Sequence, residues 1–162
     1  MKKLVPTLLV ATIVLSSCAA LCTPASAATE AEIEQAIDDG LAWLADAQQE
    51  NGSWNGSSWQ IEEYDIGATG LALLKFIEYA KEHDVNPTDP EYTYSDNVNK
   101  GLEFLDSHLM TEPVPVGGYD GNSNGNMTYL DGFHRTYVTG IATMAYAANP
   151  NIPIHRRIWY RT

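Results

Sequence analysis

Gln48-Gln49-Glu50-Asn51-Gly52-Ser53-Trp54 is the stretch that decides the fold, and it closes an amphipathic helical segment. Gly52 breaks the helix and can take the left-handed backbone that other residues avoid. Gln48, one turn earlier, can bond the exposed backbone groups of a helix end, and the flat Trp54 ring can shield that bond from water. Gln48, Gly52, Ser53 and Trp54 are therefore expected to form a structural device at a helix end. Gly117-Gly118-Tyr119 reads as a weaker echo that ends the next helical stretch.

Outward from this motif the chain is helical. Between Thr29 and Gln48 the apolar residues Ile33, Ile37, Leu41, Leu44 and Ala47 recur every three or four positions, which places them on one helix face. Thr29-x-x-Glu32 has the form of a capping box. A second helix is expected from about Asp65 to Lys81, apolar on nearly all sides and so the more buried partner. Pro87 and Pro90 end this unit. Ser95 then offers an N-cap, and Val98, Leu102, Leu105 and Leu109 repeat Ile37, Leu41, Leu44 and Gln48 at an offset of 61 residues. Gly40-Leu41-x-Trp43-Leu44 returns as Gly101-Leu102-x-Phe104-Leu105, and Thr69-Gly70-Leu71-Ala72 returns as Thr139-Gly140-Ile141-Ala142 at an offset of 70. The difference falls in an inter-helix loop, where insertions cost little. These are two copies of one helix–loop–helix unit.

The pattern resembles the α/α-toroid repeat of squalene–hopene cyclases and protein prenyltransferase β-subunits, the prenyltransferase and squalene oxidase repeat. It covers Ala28 to about Ala148 and rests on Gln48, Gly52, Ser53 and Trp54; in the second copy Leu109 replaces the Gln and a Pro-rich insertion intervenes. The resemblance implies an all-α fold, a partial α/α toroid of two helix–loop–helix repeats, with outer helices ending in the motif and inner, more apolar helices following. It does not bring an active site with it. The Asp-x-Asp-Asp acid of the cyclases is missing, and Asp38-Asp39, the nearest pair, falls on the polar face of its helix. The Cys ligand of prenyltransferase zinc and the Gly-Cys-Gly-Glu-Gln string of the related thioester domains are missing too. No catalytic residue is therefore assigned, and whether the protein is an enzyme stays open, with the residues leaning against it.

Residues 1–27 read as an export signal: Lys2 and Lys3, an apolar run from Leu4 to Leu15, and Ala25-Ser26-Ala27 as the cleavage site. Leu15-Ser16-Ser17-Cys18 also fits a lipobox, which would anchor the chain through Cys18. Both readings put the folded part outside the cytoplasm. Cys18 and Cys22 are the two cysteines of the chain. Cleavage after Ala27 leaves no thiol for disulfides, zinc or nucleophilic catalysis. Residues 28–150 form the two-repeat domain. The part beyond Ala27 holds all 21 acidic and 7 of the 9 basic residues, a net charge of −14, which excludes nucleic acid as an expected partner. Residues 151–162 break that pattern, with Arg156, Arg157 and Arg161 near the end, and read as a basic tail or as a truncated or frame-shifted end.

Asp120, Asn122, Asn124, Asn126 and Asp131 stand at positions 1, 3, 5, 7 and 12 of a twelve-residue stretch with Gly125 at position 6, the spacing of a calcium loop. Two carboxylates make any such site weak, and a Gly/Asn-rich loop is the plain alternative. No other cofactor is expected. Asp131-x-x-His134 lacks a third ligand, and His83, His108 and His155 are isolated in sequence. Asn51, Asn55 and Asn126 each begin a glycosylation sequon, and Trp54, Trp59, Tyr64, Tyr119 and Tyr129 gather in the inter-helix loops. Two repeats leave apolar sides open. The expected role is thus binding or structural, with a lipid, glycan or protein on an apolar concave face, self-association, or completion by missing repeats. The alternative is the N-terminal part of a terpenoid cyclase-like or polysaccharide-processing enzyme whose catalytic residues lie in missing repeats.

Overall fold

The structure is a computed structural model that describes residues 27–56, 62–120, 123–132 and 134–149. The expected export signal with Cys18 and Cys22, Trp59, Asn122 and the basic tail lie outside the described residues. Four helices and a two-stranded antiparallel sheet make up the described chain. They are α1 (Glu30–Asp46), α2 (Glu62–Glu82), α3 (Ser95–Ser107), β1 (Leu109–Pro113), β2 (Asn126–Leu130) and α4 (Arg135–Ala148).

The chain divides after Ala36 into two compact units. In the first, the Thr29 Oγ1 accepts the Glu32 N–H at 3.3 Å, while Glu32 Oε2 accepts the Thr29 N–H and hydroxyl, both at 2.8 Å. This is the expected capping box. The bond from the Thr29 backbone holds the Glu32 carboxyl below its ordinary pKa, and the negative charge suits a helix N-terminus.

In the second unit α2 is the central helix. Leu73, Phe76, Ile77 and Ala80 are fully buried, as befits a helix apolar on nearly all sides. Burying each large side chain contributes about 1.5–3 kcal/mol. α2 packs against α3 and α4, and α4 also meets β2. Gly70 lets α4 come close, since a Cβ there would stand 2.8 Å from Ile141 Cγ2 and 3.3 Å from the Ala142 nitrogen. Tyrosine–aspartate bonds hold each pair of helices together. The Tyr79 hydroxyl of α2 donates to Asp38 of α1, and that of Tyr146 on α4 donates to Asp106 of α3, both at 2.7 Å.

Three expectations are corrected. The fold is mostly helical but not all-α. β1 and β2 pair in the register Leu109↔Leu130, Thr111↔Thr128 and Pro113↔Asn126, where a loop was expected. Pro113 closes the last register pair of its strand, a position where the missing N–H costs little. Ser95 is the first residue of α3 and buried, not an N-cap; no side-chain cap bond precedes the helix. Gly117-Gly118-Tyr119 does not end a helix either, because α3 stops at Ser107 and the triplet falls between the two strands. Its Gly117 has φ +82° and turns the chain back toward β2.

Candidate functional site

Gln48 lies beyond the last turn of α1 and ties it to α3. Its Nε2 donates to the Gly52 and Asn97 carbonyls at 2.9 Å each, and its Oε1 accepts from Asn97 Nδ2 at 2.8 Å. Gly52 makes this possible: it takes φ +88°, and a Cβ on it would run into the Lys100 carbonyl. Ser53 is fully buried, its N–H and hydroxyl both donating to Asn51 Oδ1. Trp54 is 5% exposed, stacks 5.8 Å from Phe76, and donates its indole N–H to the Leu44 carbonyl at 2.7 Å. All four motif residues thus act together at the end of α1. Asn97, the reciprocal partner, carried no signal in the sequence.

A second device recurs in both hairpins. The Trp54 N–H donates to Thr69 Oγ1 on α2, and the Leu130 N–H donates to Thr139 Oγ1 on α4, each at 3.0 Å. Thr69 and Thr139 begin the repeated Thr-Gly-x-Ala strings. In each hairpin the chain entering the second helix is latched by a threonine hydroxyl at the same place in the repeat. Leu130, buried to 1% exposure, therefore stands in the second hairpin where Trp54 stands in the first, and Tyr119, 89% exposed, does not.

Two grooves open on the second unit. One, of about 530 Å³, runs between α1 and α2 and is mostly apolar, lined by Trp43, Leu44, Ala68, Leu71 and Ala72 with Asn55 and Lys75 as its polar members. The other, of about 540 Å³, is lined by Asp38, Asp39, Tyr79, His83, Glu91, Tyr92 and Tyr94 among others. Asp38 is thus not a bare surface charge, since Tyr79 is bonded to it. Burial raises the Tyr92 phenol far above its ordinary pKa, with Tyr94 and Tyr79 adding to the effect, and its hydroxyl donates to the Phe76 carbonyl at 2.8 Å. Burial, then the charge of Asp38, also raises Tyr94. Both tyrosines therefore stay protonated donors at neutral pH.

The five residues of the calcium spacing are placed differently from one another. Asp120 Oδ2 accepts the Gly125 N–H at 2.7 Å, and Asn124 Oδ1 accepts the Asn126 N–H at 2.8 Å. Asn126 opens β2 and Asp131 follows its end, where it forms an ion pair with Arg135 at 2.9 Å. A five-residue strand keeps these ends on the order of 14 Å apart. The structure does not bring Asp131 together with Asp120 and Asn124. Arg135 also sits 4.8 Å from the centre of the Tyr129 ring, whose hydroxyl donates to Glu112 at 2.7 Å and has its pKa raised chiefly by that bond. His134 precedes α4 with φ +56°. His83 stacks on Tyr79 and His108 on Phe104. Among the described residues no group of three or more His, Cys, Asp or Glu could hold a metal ion, and no described helix is long and apolar enough to cross a membrane.

Compared with family models, with curated proteins and with solved structures, the chain finds no match in any of the three.

Proposed function

We propose that the protein is an exported helical repeat module of the squalene-cyclase and prenyltransferase type, part of an α/α toroid, whose work is to bind rather than to catalyse. The paired hydroxyl latches, Thr69 on Trp54 and Thr139 on Leu130, carry this reading together with the Gln48–Asn97 tie, because they give both hairpins one construction. The binding surface is the apolar groove beside α2. Trp43 is 69% and Leu71 46% exposed there, an arrangement that a folded chain leaves bare at the cost of contact with water. The ligand is apolar, since most of the lining is apolar and Lys75, the charged side chain at its edge, is paired with Glu78.

Nile red, a neutral apolar dye, tests the groove. At concentrations where the chain sediments as a monomer, the dye should bind, and Leu71→Glu should weaken binding at least tenfold while the melting curve holds. Equal binding by the native chain and Leu71→Glu would remove the groove from the account.

A further inference from the structure

The two hairpins pack on one another through a set of close contacts, and the repeat offsets show where the same contacts are left unmade. On the inner helices, Gly70 faces Ile141 and Ala142. Shifted by 70 residues, Gly70 becomes Gly140, and Ile141 becomes Leu71. A Cβ on Gly140 would meet nothing within 4 Å among the described residues. Leu71 is 46% exposed, whereas Ile141 is 8%. On the outer helices, a Cβ on Gly101 would stand 2.8 Å from Leu73 Cδ2 and 3.1 Å from Trp54 Cζ3, while one on its counterpart Gly40 would meet nothing within 4 Å among the described residues. Phe104 is 4% exposed and its counterpart Trp43 69%.

One side of the molecule, with Gly40, Trp43 and Leu71, therefore repeats the half of the internal interface that α3 and α4 contribute. The other side, with Tyr137, Gly140 and Met144 on α4, repeats the half that α2 contributes through Gly67 and Gly70, Met144 lying one turn beyond Gly140 as Leu74 lies one turn beyond Gly70. The Gly140 and Leu71 pair matches the volume of Gly70 and Ile141. Inside the chain Gly67 meets Val138, its Cβ position lying 3.5 Å from Val138 Cγ1. At the open faces the counterparts are Tyr137 and Ala68, so the bulk moves from one side to the other and the larger Tyr137 ring, 65% exposed, lies on the α4 face. Met144, 55% exposed, replaces the buried Leu74 with a side chain of similar volume.

We infer that the two faces dock on one another between copies of this chain, head to tail, with the α4 face of one copy seated in the Trp43–Leu71 groove of the next. This rests on the repeat reading above and names the partner of the same groove. The contact is heterologous: the two surfaces differ, so association continues from copy to copy until a ring closes or a fibre grows. It continues the geometry already present between α2 and α4.

Heterologous docking has a signature that sedimentation velocity reads. The native chain should form species larger than a monomer as its concentration rises. Leu71→Glu, which spoils one face, and Met144→Glu, which spoils the other, should each be monomeric. An equimolar mixture should restore a dimer of one copy of each and nothing larger, because one intact groove and one intact α4 face remain. Trp43→Glu and Gly140→Arg repeat the test should either first variant melt abnormally. A native chain that stays monomeric, a variant that still associates alone, or a mixture that stays monomeric overturns the inference. Nile red separates the two proposals. Binding by a strictly monomeric native chain leaves the groove reading standing and removes self-docking. Association through these faces without dye binding does the reverse.

Discussion

Replacing Gln48 by Ala removes three hydrogen bonds in one step: two donated to the Gly52 and Asn97 carbonyls and one accepted from Asn97. Each intramolecular bond contributes a net stabilisation of about 0.5–1.5 kcal/mol, and a partner left unsatisfied in a dry site costs more. Gln48 and Asn97 are half-buried, so water reaches some of the exposed ends and the lower half of that range applies. The loss should be about 2 kcal/mol, which for a domain of this size lowers the melting temperature by roughly 8 °C. Asn97→Ala should cost somewhat less, since its amide loses two bonds, one donated to Gln48 Oε1 and one to the Ala45 carbonyl at 3.3 Å. The double variant should cost about 0.5–1 kcal/mol less than the two singles together, since the side-chain bond between them can be lost only once. Calorimetric or denaturant unfolding of the four proteins measures the cycle. Strict additivity, or a Gln48→Ala loss below about 0.5 kcal/mol, would show that the side chain is not the tie between α1 and α3.

Three further outcomes follow from single contacts. Thr69→Val should destabilise by about 1–3 kcal/mol in equilibrium unfolding, because the buried Trp54 N–H loses its acceptor, whereas Thr139→Val, whose Leu130 bond is only part-buried, should cost less. Gly40→Ala should leave the monomer unharmed or more stable by up to about 1 kcal/mol, while Gly101→Ala should lower stability through crowding of Leu73 and Trp54; melting temperatures moving in the same direction would refute the packing difference. Because the folded-state pKa of Tyr92 is raised above its unfolded value, its stabilisation is complete below pH about 10 and is lost as pH rises beyond it. Tyr92→Phe should flatten that alkaline loss while costing about 1 kcal/mol at neutral pH, as denaturant midpoints across pH will record.

The helix end at Gln48–Trp54 was legible because its parts are local: a bonding amide, a left-handed glycine and a covering ring within seven residues. The burial asymmetry was legible too, since α2 is apolar on nearly all sides. The stripe of α1 was harder. Ile37 was placed on the apolar face of its helix, yet it is 45% exposed, because its equivalence to Val98 guarantees a suitable face and not a neighbour to cover it. The hairpin escaped notice for a physical reason. Each strand has five residues, and the closing Asn-Gly-Asn chemistry that turns the chain also satisfies the spacing of an ion-binding loop. Once β2 is extended, Asp131 is carried away from Asp120 and spends its charge on Arg135. The echo at Gly117-Gly118-Tyr119 misled in the same way, since a turn glycine between strands looks like one after a helix. Leu130, an ordinary apolar residue, had nothing to mark it as the counterpart of Trp54. Its backbone bond to Thr139 does so.

Disulfide trapping between separate chains reaches the central claim most directly, because it asks whether the bare groove of one hairpin is the seat of a partner. With Cys18 and Cys22 replaced by Ser, chains bearing Leu71→Cys are mixed with chains bearing Gly140→Cys under mild oxidation. The account predicts a covalent dimer of one chain of each kind, formed far faster than when Leu71→Cys is mixed with Lys81→Cys. Equal rates in the two mixtures, or a dominant product of two Leu71→Cys chains, would contradict it.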